Sequence, residues 1–166
     1  RYRIYGFSME IGFDGLPIIL YVLGNYPSSS AERVILYKCL DVDCSNGIKT
    51  TVLNDEYHAF PYNLDLNIQR NGNPIFVIGK DDDIELSIVN VVTCEDIFCN
   101  QKSVVEISES YWVGSESVAI GSDGFPVIAY SSTLSESIYF VHCNSLDCDD
   151  YEAPITLADE GKKPNI

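Results

Sequence analysis

The residues best placed to do chemistry are six cysteines, all in the spacing C-x-x-x-x-C: Cys39/Cys44, Cys94/Cys99 and Cys143/Cys148. An even number of cysteines at a repeated spacing points to a disulfide framework, and so to an oxidising compartment outside the cytoplasm. The expected pairs are local, 39–44, 94–99 and 143–148. Each closes a loop of about six residues and contributes on the order of 2 kcal/mol by restricting the unfolded chain. Zinc is the alternative use of such pairs. It requires two pairs at one point, whereas equivalent corners of successive units are splayed apart. A redox-active pair calls for C-x-x-C, which this spacing is not.

Carboxylates are the next candidates. Asp14, Asp123, the run Asp81-Asp82-Asp83 and the group Asp147, Asp149 and Asp150 offer oxygen ligands of the kind calcium takes in loops. None matches the D-x-[DN]-x-[DN]-G loop, and a turn role already accounts for Asp14 and Asp123, so no cofactor is expected. The two histidines do not form a catalytic pattern. His58 falls in an inter-unit turn, and His142 precedes Cys143 where the other units have Lys38 and Thr93. No G-x-S-x-G elbow occurs, and the chain is not expected to be an enzyme. Tyrosines recur near hairpins and turns (Tyr21, Tyr26, Tyr57, Tyr62, Tyr111, Tyr130, Tyr139). Packing between sheets accounts for most of them, and exposed ones suit stacking on sugars or burial in an interface.

These residues are positioned by a repeated stretch. Ile11-Gly-Phe-Asp-Gly-Leu-Pro-Ile-Ile-Leu-Tyr21 returns as Ile120-Gly-Ser-Asp-Gly-Phe-Pro-Val-Ile-Ala-Tyr130. A weaker copy, Ile68-Gln-Arg-Asn-Gly-Asn-Pro-Ile-Phe-Val-Ile78, lies between them. Asp-Gly or Asn-Gly between apolar runs predicts a hairpin, with Asp14-Gly15, Asn71-Gly72 and Asp123-Gly124 at the turns and φ > 0 at both central residues of a type I′ turn. Pro17, Pro74 and Pro126 then sit at a strand start, because proline cannot donate to the ladder.

Each unit reads as four strands, A to D. In the first they are Ser8–Phe13, Leu16–Tyr21, Val34–Cys39 and Lys49–Leu53. In the second, A precedes Asn71, B is Pro74–Ile78, C is Val89–Cys94 and D is Ser103–Ile107. In the third they are Ser117–Gly121, Phe125–Tyr130, Ile138–Cys143 and Ala153–Leu157. The turn recurs after 57 and then 52 residues, and the first cysteine after 55 and then 49. The fold class is therefore all-β: three units of about 50 residues, at 2–56, 57–110 and 111–160, each a four-stranded blade of the β-propeller kind. Residues 161–166 open a fourth unit. A β-trefoil is the alternative, since it too has three four-stranded units.

The formal net charge of −15 and a pI near 4.2 argue against nucleic acid or an anionic membrane as partner. No apolar run approaches the roughly 20 residues that span a bilayer. A start at Arg1 without methionine is read as a processed product or a segment of something longer.

The pattern I-x-x-D-G-x-P-[IV]-I-x-Y, followed by a strand ending in C-x-x-x-x-C, resembles tandem repeats of secreted and surface proteins that are inferred to be β-propeller blades. The resemblance covers nearly the whole chain and departs in the second unit, at Asn71 and Ile78. It implies a fold and an extracellular setting, and it carries no agreed activity.

The reading is an extracellular or cell-surface structural or adhesive repeat protein. Because three blades are too few to close and unpaired edges invite pairing, copies are expected to associate end to end into a filament. The junction is placed at Tyr2, Ile4, Tyr5 and Phe7 and at Pro164 and Ile166. A carbohydrate-binding module is the main alternative, with glycans as partners, and a secreted propeller hydrolase the more distant one.

Overall fold

The computed structural model describes residues 2–25, 31–54, 59–82, 86–110, 113–132 and 136–159. Among these residues there are strands, turns and loops and no helix. The strands form three four-stranded antiparallel sheets. The first holds β1 (Tyr2–Ile11), β2 (Pro17–Asn25), β3 (Ala31–Cys39) and β4 (Gly47–Leu53). The second holds β5 (Ala59–Ile68), β6 (Pro74–Asp82), β7 (Leu86–Cys94) and β8 (Lys102–Ser110), and the third β9 (Val113–Ile120), β10 (Pro126–Ser132), β11 (Ser137–His142) and β12 (Ile155–Asp159). Spatial order follows sequence order in every sheet, so each unit is an up-and-down meander. Pro17, Pro74 and Pro126 each open the second strand of their sheet, opposite Ile11, Ile68 and Ile120.

The first turn of each unit differs from the expected type I′. Only Gly15, Gly72 and Gly124 have positive φ, at 76°, 88° and 99°. The amide of Gly15 bonds back to the carbonyl of Gly12 at 2.9 Å, and Gly72 to Gln69 and Gly124 to Gly121 do the same at 2.9 and 3.0 Å. This is a type I turn followed by a left-handed glycine. It needs one residue with φ > 0, not two, because the acid carries the other constraint through its side chain. Asp14 Oδ1 accepts the Leu16 amide at 3.0 Å, Asn71 Oδ1 the Asn73 amide at 2.9 Å, and Asp123 Oδ1 the Phe125 amide at 3.1 Å. A carboxamide oxygen does this as well as a carboxylate, so Asn71 keeps the turn of its unit.

Most strands extend beyond the expected bounds, β2 to Asn25, β6 to Asp82 and β9 from Val113 among them, and two boundaries bear on the faces of the sheets. β1 begins at Tyr2 and not at Ser8, so Tyr2, Ile4, Tyr5 and Phe7 belong to the sheet. A register shift between Ile4 and Gly6 reverses the side-chain alternation there and puts Tyr2 and Ile4 on the same face as Phe7. β12 begins at Ile155, two residues beyond the expected Ala153. The loop after Cys148 is longer than its counterparts and includes an isolated bridge between Cys143 and Tyr151.

The sheets stack face to face, with β5 packed against β1 on one side and β9 on the other. One core lies between the first and second sheets and holds Ile18, Leu20, Val22, Val34 and Leu36 against Leu66, Phe76, Ile78 and Val92. The other sets Ile75, Val77, Val89 and Val91 against Val118, Ile128, Tyr130 and Val141. Alternate residues of β6 serve opposite cores, which is why it reads as a continuous apolar run. Each buried aliphatic side chain stabilises by about 1.5–3 kcal/mol. These are propeller-like blades, not the shared barrel of a β-trefoil.

Candidate functional site

All three disulfides form the expected local pairs, with Cα–Cα distances of 4.9, 4.7 and 5.0 Å. In each, the second cysteine adopts a left-handed conformation (Cys44, Cys99 and Cys148, φ 52–60°). Its amide bonds to the carbonyl three residues back, at Asp41, Asp96 or Ser145. Asp41 also ties its loop down: its carboxylate accepts the Ser45 hydroxyl at 2.8 Å and the Asn46 side-chain amide at 2.8 Å. These bonds, Ser45 first, hold its pKa below the ordinary aspartate value. Asp149 is lowered in the same way, chiefly by Ser145, whose hydroxyl donates to it at 2.6 Å. Of the acids considered for calcium, Asp149 thus holds its loop together, as Asp14 and Asp123 hold their turns. No group of three metal-ligating side chains occurs among the described residues. Asp83, His58, Tyr26, Tyr57, Tyr111, Pro164 and Ile166 lie outside those residues, as do the side chains of Asp81, Asp82 and Tyr62.

The disulfide loops and the Asp-Gly turns share one end of the sheets, and there the residue before the first cysteine has a role that sequence reasoning missed. Lys38 Nζ pairs with Asp14 Oδ2 at 2.8 Å, and His142 Nε2 with Asp123 Oδ2 at 2.8 Å. In the second unit the same two positions hold Asn71 and Thr93. The chain thus places an acid and a basic side chain together at these two positions or has neither, a covariation legible in the three copies. The Lys38 hydrogen bond is the main reason that the Asp14 carboxyl sits below the usual aspartate value. Asp123 is lowered too, first by the Phe125 amide.

Asp14→Asn keeps the turn bond to Leu16 but leaves the Lys38 ammonium, on a side chain only 2 % exposed, without its anion. The expected cost at neutral pH is about 1–2 kcal/mol, moderated by the exposure of Asp14. A carboxyl whose pKa is lowered on folding stabilises above its unfolded pKa and loses that contribution as pH falls through the folded value. The variant should therefore show a shallower loss of stability below pH 3.8 in denaturant titrations. Equal neutral-pH stabilities would remove the ion pair from the argument.

A polar stitch runs across the inner strands. Asp65 accepts the Ser8 hydroxyl at 3.4 Å from the first sheet, and from the third the Ser117 hydroxyl at 2.8 Å and the Val118 amide at 2.9 Å. Ser8, Asp65 and Ser117 occupy the same position of the repeat, 57 and 52 residues apart. One residue earlier stand Phe7, Leu64 and Glu116. Glu116 faces an interface that is apolar in the second unit, and neither of its buried carboxyl oxygens has a hydrogen-bond partner. Burial pushes its pKa up to about 8.

The outer faces of the two end sheets carry the residues that elsewhere are core. At one register position Leu66 and Val118 are 1 % and 3 % exposed, while Met9 is 54 % exposed. At another, Val34 and Val89 are 1 % and 0 % exposed, while Ile138 is 44 % exposed. Phe7, Met9 and Ile11 line the open face of the first sheet, and Ile138, Ile155 and Leu157 that of the third. A recess of about 200 Å³ indents the latter, lined by Ser115, Ser117, Ala129, Ser131 and Ile138, with Glu116 and Tyr130.

No protein-family model matches the chain, and no curated protein matches it in sequence. Solved structures do match it in fold. A GH43_1 enzyme from Xanthomonas citri superposes with a TM-score of 0.66 at 10 % identity, over 92 % of this chain and 55 % of that one. The same enzyme complexed with xylotriose gives 0.63 at 10 % identity, again over 92 % and 55 %. A fucose lectin from Kordia zhangzhouensis, in complex with methyl-fucoside, gives 0.62 at 7 % identity, over 93 % of this chain and 100 % of that one. The chain thus spans about half the length of the GH43 structures. At these identities the likeness is one of fold, and it defines the chain as a set of propeller-like blades.

Proposed function

We propose that this chain is an extracellular, disulfide-stapled carbohydrate-binding module, a structural or adhesive building block whose ring of blades is completed by further blades. The observation that carries this reading is one of extent. Three sheets span the whole of the fucose lectin's chain and about half of the GH43 chains, so a chain of three blades matches the binding protein in scale. The disulfides favour an oxidising setting, and acidity keeps such a module soluble outside the cell. Neighbours in fold that are complexed with xylose, methyl-fucoside and xylotriose support carbohydrate as the ligand class. The likeness in fold to a lectin is what supports recognition without turnover.

The test is a glycan array followed by calorimetry, with fucosylated glycans and xylo-oligosaccharides both present. Saturable binding to one class, without release of reducing sugar, is expected. Binding to none of them, or hydrolysis of xylotriose, would refute it.

A further inference from the structure

We propose that both open faces are filled by a second copy of this chain, joined head to tail, so that the third sheet of one copy packs on the first sheet of the next. This rests on the reading of the chain as an incomplete propeller and adds which partner completes it. Two copies supply six blades, within the four to eight with which propellers close, where one supplies three.

Side-chain size selects the chain's own copy. The final position of the repeated stretch is Tyr21, Ile78 or Tyr130, and it faces the preceding sheet. Ile78 shares its core with the large pair Leu20 and Val22 of the preceding sheet. In the preceding sheet of Tyr130 the same two positions of the repeat hold the smaller pair Val77, in the same core, and Gly79, and Tyr130 is 2 % exposed, stacked on Tyr139 with ring centroids 5.2 Å apart. On the open face of the third sheet the corresponding pair is smaller again, Ala129 and Ser131, and these residues form the recess. On the open face of the first sheet the residue waiting is Tyr21, half-buried. A tyrosine therefore meets a hollow of small residues in the intermolecular contact, as it does inside the molecule, and close packing requires that match.

The turn end repeats the argument. A Cβ on Gly72 would lie 3.6 Å from Phe13 of the unit before, and one on Gly124 would lie 3.0 Å from Arg70 of the unit before. Arg70 also donates to the carbonyls of Gly121 and Asp123 at 3.4 Å, and to that of Ser122. A Cβ on Gly15 would meet nothing within 4 Å. Of the three equivalent turns, that of the first sheet is the one with no covering residue among the described residues. Ser122 of the second copy stands in that place. Along the inner strands, Ser117 of one copy comes to Ser8 of the next, continuing the stitch through Asp65.

The test is the double variant Ser8→Cys/Ser117→Cys, oxidised and run on non-reducing gels beside each single variant, with sedimentation of the wild-type protein. Expected are a wild-type particle of twice the chain mass and a covalent dimer from the double variant alone. A ladder of longer products from the double variant would also support the contact, since the same two faces would have joined. Tyr21→Ala should weaken association at least about tenfold, and added salt should strengthen it, because each copy carries a formal charge of −15 that salt screens. A wild-type monomer at micromolar concentration, a dimer in which the double variant does not cross-link, or a single variant that cross-links to itself would each overturn the inference. Glycan binding is read separately on the array, so that failure of the ligand assignment and failure of the copy contact are told apart.

Discussion

Glu116→Leu is expected to raise the melting temperature by about 10 °C at pH 8 and by much less at pH 4. The glutamate occupies a position that is Leu64 in the second unit, and neither of its buried oxygens finds a partner. Burial disfavours the anion and lifts the pKa from 4.5 to about 8. Between those values the folded protein binds a proton that the unfolded chain has released, so stability falls as pH rises through the window. Below pH 4.5 the penalty is absent, and above pH 8 it is complete. A difference of three to four pKa units corresponds to roughly 4–5 kcal/mol, and about 1 kcal/mol moves the melting temperature of a protein this size by some 2–4 °C. Leucine removes the titration and packs as Leu64 does. Melting curves at the two pH values decide the matter: an equal gain at both would mean that the carboxyl is solvated when the protein is folded.

Gly124→Val is expected to cost about 3–5 kcal/mol, against about 1–3 kcal/mol for Gly15→Val. Both place a β-branched residue at positive φ, a strain of about 1–3 kcal/mol. The two sites then part company. Space around Gly15 is open, whereas a side chain at Gly124 runs into Arg70, which lies about 3 Å from the new Cβ and is bonded to the turn carbonyls. Displacing it adds a second term of about 1–3 kcal/mol. Urea midpoints for the two variants provide the comparison. If Gly15→Val proved as costly as Gly124→Val in a monomeric preparation, the arrangement of turns drawn above would be wrong.

The same pair bears on the copy contact. In an assembled protein Gly15 is no longer bare, so Gly15→Val should also weaken association, which Gly124→Val affects only through the stability of its own unit.

The sequence alone determined the repeat, its four strands per unit, the positions of Pro17, Pro74 and Pro126, and the three disulfide pairs. These depend on neighbours close along the chain. Asp-Gly and Asn-Gly dictate a turn locally, alternation dictates a strand, and two cysteines five residues apart find each other before anything else can intervene.

The tertiary structure alone decided what faces what. Lys38 and His142 looked like arbitrary residues before a cysteine until antiparallel pairing of the second and third strands brought them to Asp14 and Asp123, 24 and 19 residues away in the chain. Nothing in the polar run Gly114-Ser-Glu-Ser117 marks Glu116 for burial, which the stacking of β9 on β5 brings about. Arg70, Ser8, Asp65 and Ser117 acquired their roles only when three inner strands came side by side. Side-chain chemistry is written along the chain, but burial and partnership are set by contacts between sheets some 50 residues apart, and no local pattern encodes which of two sheet faces will be covered.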